Sequence, residues 1–315
     1  MTGDSIWPNG ELRLDLPVFL ARFGLEARGG PVPLLGGEDN INARVAADRG
    51  DVVVREYVRS APAKVAAELD LVAHLASVGF PTPAPFTADN GELFALVAGK
   101  PIAVFPFVSG EVPPAMTPDL ARQAGALLAQ MHTATADWAD DRVPVIDRLG
   151  VLETALTSDV DLEGADAWRE ETRRFLGRHT DDLTLLAAQP AGPLHHDLHR
   201  QNLLVAGDRV TAVLDFDELN RGPLVLDIAR LLLYAAEEQP DRRLPDAVAV
   251  SALAGYQEVR PLSLAELELL PLAFDLAGLV EAAGFIVWAA PYLGLRHVDE
   301  CHSWLGYLAN RDVRD

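Results

Sequence analysis

The stretch from His195 to Asp227, HHDLHRQNLLVAGDRVTAVLDFDELNRGPLVLD, constrains this chain more than any other part of it. Asp197 and Asn202 stand on a polar loop that runs into Leu203, Leu204 and Val205, an apolar run that reads as a strand. Gly207 and Asp208 turn the chain and Val210 to Leu214 brings it back, as in a β-hairpin. With the turn centred on Gly207 and Asp208, Asn202 faces Val213 and Asp215 lies just past the same end, near Asp197. Two carboxylates and a carboxamide at a strand end suit a divalent metal with hard oxygen ligands, with one carboxylate left over as a base. Magnesium keeps several waters and needs only one or two carboxylate-type ligands besides substrate phosphates, so Asn202 and Asp215 suffice as its protein ligands. Asp197 then orients an attacking hydroxyl and takes its proton. This is a layout for phosphoryl transfer.

Any one of these aspartates alone fits a turn or helix cap; the joint spacing with a hairpin inside it carries the functional reading. D-x4-N, a hairpin and D-F follow the order of catalytic loop and metal loop in the kinase superfamily. The string resembles the aminoglycoside phosphotransferase, choline kinase and homoserine kinase group, whose signature runs H-G-D-L-H-x-x-N, hairpin, I-D-F-D. The resemblance implies His195 as the leading histidine, Asp197 as the catalytic aspartate, Asn202 and Asp215 as the metal ligands, and Asp227 as the buried aspartate opening a helix. His196 stands where glycine or asparagine is usual. His199 is equally readable as a loop histidine with a local hydrogen bond or as a contact to phosphate or acceptor; Asp217 and Glu218 are placed with it on the acceptor side, Asp217 also as a substitute metal ligand. The implied fold is α+β and protein-kinase-like: an N-terminal antiparallel sheet lobe with one main helix, residues 1 to 107, binds nucleotide. A larger, mainly helical lobe, residues 108 to 315, holds the catalytic and acceptor-binding groups.

A chain of 315 residues with 49% hydrophobic content can bury a core split over two lobes. The single cysteine, Cys301, allows no internal disulfide, and without a Cys/His pair at zinc spacing a structural metal is not expected; a reducing, cytoplasmic setting fits. No secretory leader pattern opens the chain, and no apolar run is read as spanning a bilayer. A net charge of −21 argues against nucleic acid and against anionic membrane surfaces. The charge divides unevenly: 9 basic and 13 acidic side chains up to residue 107, against 17 and 34 beyond it. If the second lobe holds the acceptor, its field favours a cationic or neutral hydroxyl compound over a phosphorylated one, although excess acid serves solubility equally well.

Along the chain, Leu16, Phe19, Leu20 and Phe23 predict a helix with Asp15 as cap and Pro17 in its first turn. Strands follow at Asn40 to Ala46 and Val52 to Val58, with a turn at Asp48 to Gly50. Gly36, Gly37 and Asn40 would let backbone amides approach a phosphate, and the segment resembles the G-x-E-N loop of homoserine-kinase-like proteins, with Glu38 and Asn40. Arg55 stands where that family pairs the α- and β-phosphates. Its expected acidic partner is Glu68, on a helix from Lys64 to Val78 whose apolar stripe Glu68 flanks; the plain alternative is a surface Lys64–Glu68 pair. A hairpin turn is expected at Asn90-Gly91, before Leu93 to Val97 and an apolar strand Ala103 to Val108 broken by Pro106. Phe105 to Gly110, including Phe107, matches a hinge whose backbone reads a purine ring and equally a plain linker. Beyond Thr117-Pro118-Asp119 the pattern is helical, with a stripe ending at His132 and later helices Ile228 to Glu238, Pro245 to Val259 and Leu264 to Ala290.

Eleven residues between Asp215 and Asp227, with no A-P-E, leave too little for a protein-kinase activation segment, so small acceptors are favoured. The chain is therefore read as a magnesium-dependent kinase moving the γ-phosphate of ATP or GTP to a small hydroxylated acceptor, as a monomer or homodimer. Aminoglycosides or other hydroxylated antibiotics rank first as acceptors; homoserine, choline or a similar amino alcohol is the alternative. A catalytically silent nucleotide-binding module would require the loss of Asp197, Asn202 or Asp215, all of which are present.

Overall fold

Alternating burial along one strand organises the first part of the molecule. In β3 (Gly50–Tyr57), Val52 and Val54 are buried on one face while Val53, Arg55 and Tyr57 share the other, as a period of two requires. The computed structural model describes residues 14–34 and 40–311; Gly36, Gly37 and Glu38 of the expected phosphate loop lie outside them. The chain clusters into two units: Met1–Glu111 with Ala139–Val143 and Thr211–Asp217, and the remainder.

In the first unit, β1 (Val32–Leu34), β2 (Asn40–Ala47), β3, β4 (Phe94–Val97) and β5 (Lys100–Pro106) form an antiparallel sheet in the order β1-β2-β3-β5-β4. One face packs Val45, Val52, Val54, Ile102 and Val104 against Leu16, Phe19, Leu20 and Phe23 around α1 (Leu16–Ala21). Asp15 caps that helix through the Val18 amide at 3.3 Å, and Pro17 lies in its first turn. The other face sets Tyr57, Ala103 and Phe105 against Val65 and Leu69 of α2 (Pro62–Ser77). Each fully buried valine or leucine contributes about 1.5–3 kcal/mol, so the two clusters fix which face Arg55 presents. Arg55 shares the face covered by α2.

The hairpin turn expected at Asn90-Gly91 is instead a local turn ahead of β4, closed by Gly91 N to Ala88 O at 2.9 Å. The β4–β5 connection is Ala98-Gly99, both at positive φ (50° and 80°), which the twist of a two-residue hairpin loop demands. Pro106 lies on an inner strand rather than an edge. It costs little there, because it is the last residue of β5 and β4 pairs only with Lys100 to Ala103.

The second unit is mainly helical: α3 (Pro118–Ala134), α4 (Arg148–Leu156), α5 (Ala165–Arg178) and α6 (Thr180–Ala187) precede the strands. After them come β6 (Ala191–Leu194), β7 (Leu203–Ala206), β8 (Arg209–Val213), whose residues from Thr211 on belong to the first unit, and β9 (Asn220–Pro223). β6 pairs antiparallel with β9, and β7 with β8 makes the expected hairpin. Helices α7 (Val225–Glu237), α8 (Asp246–Val259), α9 (Leu264–Gly284), α10 (Ala290–Leu293) and α11 (His302–Arg311) complete it. A π-helical turn, Phe285–Ala289, separates α9 from α10.

The run Leu264–Leu293 is long and apolar enough, by length and composition alone, to cross a membrane, a test that a buried core helix also passes. Glu266, Glu268, Asp275 and Glu281 interrupt it, which is why the sequence shows no uninterrupted apolar run there. The segment is mostly buried, since α9 packs against α4, α7 and α11 and so needs apolar residues on several sides.

Helices α3 and α8 approach so closely that both contact points are glycines. A Cβ on Gly125 would stand 2.0 Å from Ala252 O, and one on Gly255 would stand 1.9 Å from Arg122 O. Alanine at position 125 gains about 1 kcal/mol of helix propensity, but a backbone oxygen cannot swing aside as a side chain can, and overpacking of this kind costs about 1–3 kcal/mol or more. Gly125→Ala is expected to lower the thermal midpoint by several degrees; an unchanged or raised midpoint in a melting experiment would show that the helices separate freely.

Candidate active site

The chemistry-bearing residues form two groups, one on each unit. In the first unit, Arg55 is nearly buried on β3, and its Nη2 lies 2.8 Å from Asp215 Oδ1 and 3.9 Å from Asp217 Oδ2. Glu68, 2% exposed on α2, accepts the Tyr57 hydroxyl at 2.8 Å. The expected Arg55–Glu68 ion pair is therefore replaced: among the described residues Arg55 pairs with the aspartates of the D-F-D segment, and Tyr57, two residues along the same strand face, takes Glu68. Lys64 has no part in it, because Glu68 points into the protein. The Arg55 guanidinium lies 5.2 Å from the Tyr57 ring centroid.

Electrostatics here are those of a crowded anionic pocket around one cation. Burial is the largest influence on Arg55 and would lower its pKa, but Tyr57, Asp215, Glu68 and Asp217 together raise it above the ordinary value. Burial, and then the charge of Asp217, push Glu68 well above the usual carboxylate range. Asn40 donates its side-chain amide to Asp217 Oδ2, so its visible role is to hold that carboxylate. Asp215 adopts φ 62°, a left-handed conformation that a non-glycine residue holds only when its surroundings insist. Phe107 does not offer its amide as a free hinge donor: that N–H bonds Asp51 O at 2.9 Å, and the Arg44 guanidinium covers its ring at 4.1 Å.

In the second unit, Asp197 follows β6 and is held on several sides. Asn202 Nδ2 donates to Asp197 Oδ2 at 2.8 Å and to its carbonyl at 2.9 Å. With both amide protons committed, Asn202 Oδ1 remains as an electron-pair donor. The Tyr234 hydroxyl donates to Asp197 Oδ1, and His199 Nε2 lies 3.6 Å from Oδ2. Burial would raise the Asp197 pKa; the hydrogen bonds from His199 and Tyr234 and the nearby histidine charges hold it below the ordinary value. Glu218 is exposed, and its carbonyl accepts Asn220 Nδ2 at 2.8 Å.

The loop itself hangs on Asp227. That carboxylate, 1% exposed at the start of α7, accepts the amides of His195 at 2.8 Å and His196 at 2.6 Å. His132 Nε2, on α3, completes the set at 3.0 Å, and its Nδ1 takes the Tyr256 hydroxyl at 2.7 Å. Burial would raise the Asp227 pKa, but the hydrogen bond from His132 leads the influences that keep it below the ordinary value. The sequence reading missed His132, Tyr256, Arg230 and Tyr234 as parts of this assembly. Asp227, Arg230 and Tyr234 do carry a signal, since i, i+3 and i+7 lie on one helix face.

His196 sits at φ 62° and is 6% exposed. Burial, followed by the charges of Arg230 and Arg148, lowers its pKa from 6.5 to about 3, so the folded protein keeps it neutral where the unfolded chain would protonate it. Its stability contribution is complete above the unfolded pKa and is lost as pH falls from about 6.5 toward 3, at up to about 1.4 kcal/mol per pH unit. His196→Asn tolerates the left-handed backbone and cannot titrate. Urea unfolding of both proteins at several pH values over that range should show a flatter acid slope for the variant; parallel slopes would refute the assignment.

Residues 31–262 match the family model described as the phosphotransferase enzyme family, APH. A homoserine kinase of Rhodopseudomonas palustris (strain BisA53) is 30% identical over 269 residues, covering 82% of this chain and 79% of the relative. A homoserine kinase of Mesorhizobium japonicum is 28% identical over 251 residues, covering 75% and 73%. Among solved structures, an amicoumacin kinase in complex with AMP-PNP and Ca2+ superposes with a TM-score of 0.67 at 17% identity, over 93% of this chain and 94% of that one. The protein has the protein-kinase-like α+β fold of these enzymes. The chain belongs to the APH phosphotransferase family and is a small-molecule kinase.

Proposed function

We propose that the chain transfers the γ-phosphate of a nucleoside triphosphate, ATP or GTP, to the hydroxyl of homoserine or a closely related amino alcohol. The observation that carries this reading is the 30% identity to a homoserine kinase across 82% of the chain. It reverses the ranking of acceptors made from sequence, which put antibiotics first; the likeness to the amicoumacin kinase, at 17% identity, speaks for fold alone.

The residue roles follow from the donor sets. Asp215 and Asn202 offer oxygen atoms of the hard kind that magnesium takes, and Asp217 is the reserve carboxylate. Among the described residues Arg55 Nε is buried without a hydrogen-bond partner, whereas Glu68, which burial leaves protonated, shares a side-chain hydrogen bond with Asp217. Such a donor costs about 1–3 kcal/mol when left unpaired, so its presence on the residue assigned to phosphate supports a fit to that group. When bound, the metal neutralises the β- and γ-phosphate charge. Arg55 supplies cationic neutralisation, with Glu68 and Tyr57 holding the strand-facing side of its surroundings, and Asn40 steadies Asp217. Asp197 orients the acceptor hydroxyl and accepts its proton as the oxygen attacks phosphorus; its low pKa keeps it anionic at neutral pH. His199, against Asp197, and exposed Glu218 are assigned to the acceptor side, where a carboxylate suits an ammonium group.

A panel of homoserine, choline, other amino alcohols, aminoglycosides and macrolides, each with ATP and with GTP, distinguishes the acceptors by product mass. We expect the highest kcat/KM for homoserine or a near neighbour, by at least about tenfold over any antibiotic, a difference of about 1.4 kcal/mol in transition-state binding. An antibiotic at the top of that ranking would overturn the proposal.

Two variants separate the roles. Asp197→Asn keeps the shape of the side chain and loses its basicity, so kcat should fall by about 10² to 10⁴ with nucleotide affinity nearly intact. Asp215→Ala should instead weaken magnesium-supported nucleotide binding, as read by titration calorimetry. Equal losses of nucleotide affinity in the two variants would mean that the roles are wrongly divided.

A further inference from the structure

We propose that Tyr234 is a positioning residue for Asp197, fixing the plane of its carboxylate so that one lone pair faces the acceptor hydroxyl. The inference rests on the reading of Asp197 as the base.

Arg230 and Tyr234 are one turn apart on α7. Arg230 is 4% exposed, donates Nη2 to the Tyr234 hydroxyl at 2.5 Å, and covers the phenol ring at 4.5 Å from its centroid. A guanidinium can only donate, so the phenol oxygen is the acceptor in that contact and its single proton must go elsewhere. The other partner is Asp197 Oδ1, and the direction of the bond is thereby decided. Burial is the main reason that the Tyr234 phenol is raised far above its ordinary pKa, so it keeps that proton.

The opposite oxygen is tied just as firmly. Asn202 Nδ2 holds Oδ2 at 2.8 Å and His199 Nε2 lies 3.6 Å from the same oxygen, so the lone pair left over for the acceptor hydroxyl is the second one of Oδ1. A carboxylate held at a single oxygen can rotate about Cβ–Cγ; held at both, it cannot. Arg230 anchors the device, since its Nε also reaches His196 O at 3.3 Å and its Nη1 lies 3.1 Å from Glu281 Oε1. His199 stacks on the Tyr234 ring, with centroids 4.8 Å apart. Tyr234 thus joins helix α7 to the base without itself needing to touch either reactant.

A merely structural tyrosine and a positioning one differ in what their loss does. Tyr234→Phe removes the hydroxyl and keeps the ring, and a hydrogen bond to a charged group lost in this way corresponds to about a 10- to 100-fold fall in rate. We expect kcat to drop by that factor while acceptor KM and nucleotide affinity change little; the thermal midpoint falls by a few degrees, because Arg230 Nη2 loses its acceptor. In the Asp197→Asn background the same substitution should have almost no further effect on kcat, because two residues acting through one group are not additive. If Phe at this position prevents folding, judged by loss of nucleotide binding, Tyr234→His keeps a planar ring and an acceptor for Arg230 while being too short for Asp197, and the same loss is expected. Wild-type kcat in a folded Tyr234 variant, or losses that add in full to those of Asp197→Asn, would overturn the proposal. Undiminished turnover by Asp197→Asn alone would instead overturn the assignment of the base.

Discussion

The buried carboxylate of Asp227 is the constraint on which the catalytic loop depends. A charge with 1% exposure is tolerable only when its hydrogen-bonding capacity is filled, and here two backbone amides and one imidazole fill it. Because the two amides belong to His195 and His196, satisfying Asp227 sets the path of the chain immediately before Asp197. The left-handed backbone of His196 is the conformational cost of that path, and a non-glycine residue bears it because the Asp227 bond is lost otherwise. The same helix that begins with Asp227 continues to Arg230 and Tyr234, so one rigid element governs both the loop backbone and the base it carries.

The first unit obeys a comparable logic with the signs reversed. One guanidinium is buried among Tyr57, Glu68, Asp215 and Asp217, and it can serve more than one of them because its donors are spread over a planar fork. A lysine, a single point of charge on a flexible stem, would not span Asp215 and Asp217 in the same way. The crowding raises the proton affinity of Glu68, which shares a hydrogen bond with Asp217, and leaves Arg55 Nε without a partner among the described residues, a buried donor that suits the phosphate a phosphotransferase handles. Family membership and this charge balance point in the same direction from independent observations.

Much of the fold was legible because short-range physics dictates it. The strands from Asn40 and from Val52, the Asp15 and Thr117 caps, and the apolar stripe of α2 each follow from backbone period and local hydrogen bonding. The β7–β8 hairpin follows from its turn residues. The errors have local causes too. Asn90-Gly91 is a strong turn signal and does make a turn, but which turn reverses a strand depends on the partner strand, and Val97 pairs with Lys100 across Ala98-Gly99.

From sequence alone came the family, the kinase chemistry, and the candidates Asp197, Asn202, Asp215 and Asp227, because their spacing around a hairpin is set within a single local segment. Tertiary structure decided the partners. Arg55 pairs with Asp215, 160 residues away, rather than with Glu68, and Asp227 with His132, 95 residues away, since no local pattern records which buried donor meets which acceptor. Tyr234 reaches Asp197 for the same reason: helical periodicity places it on the face of Asp227, but only the folding of that helix against the loop turns a shared face into a hydrogen bond.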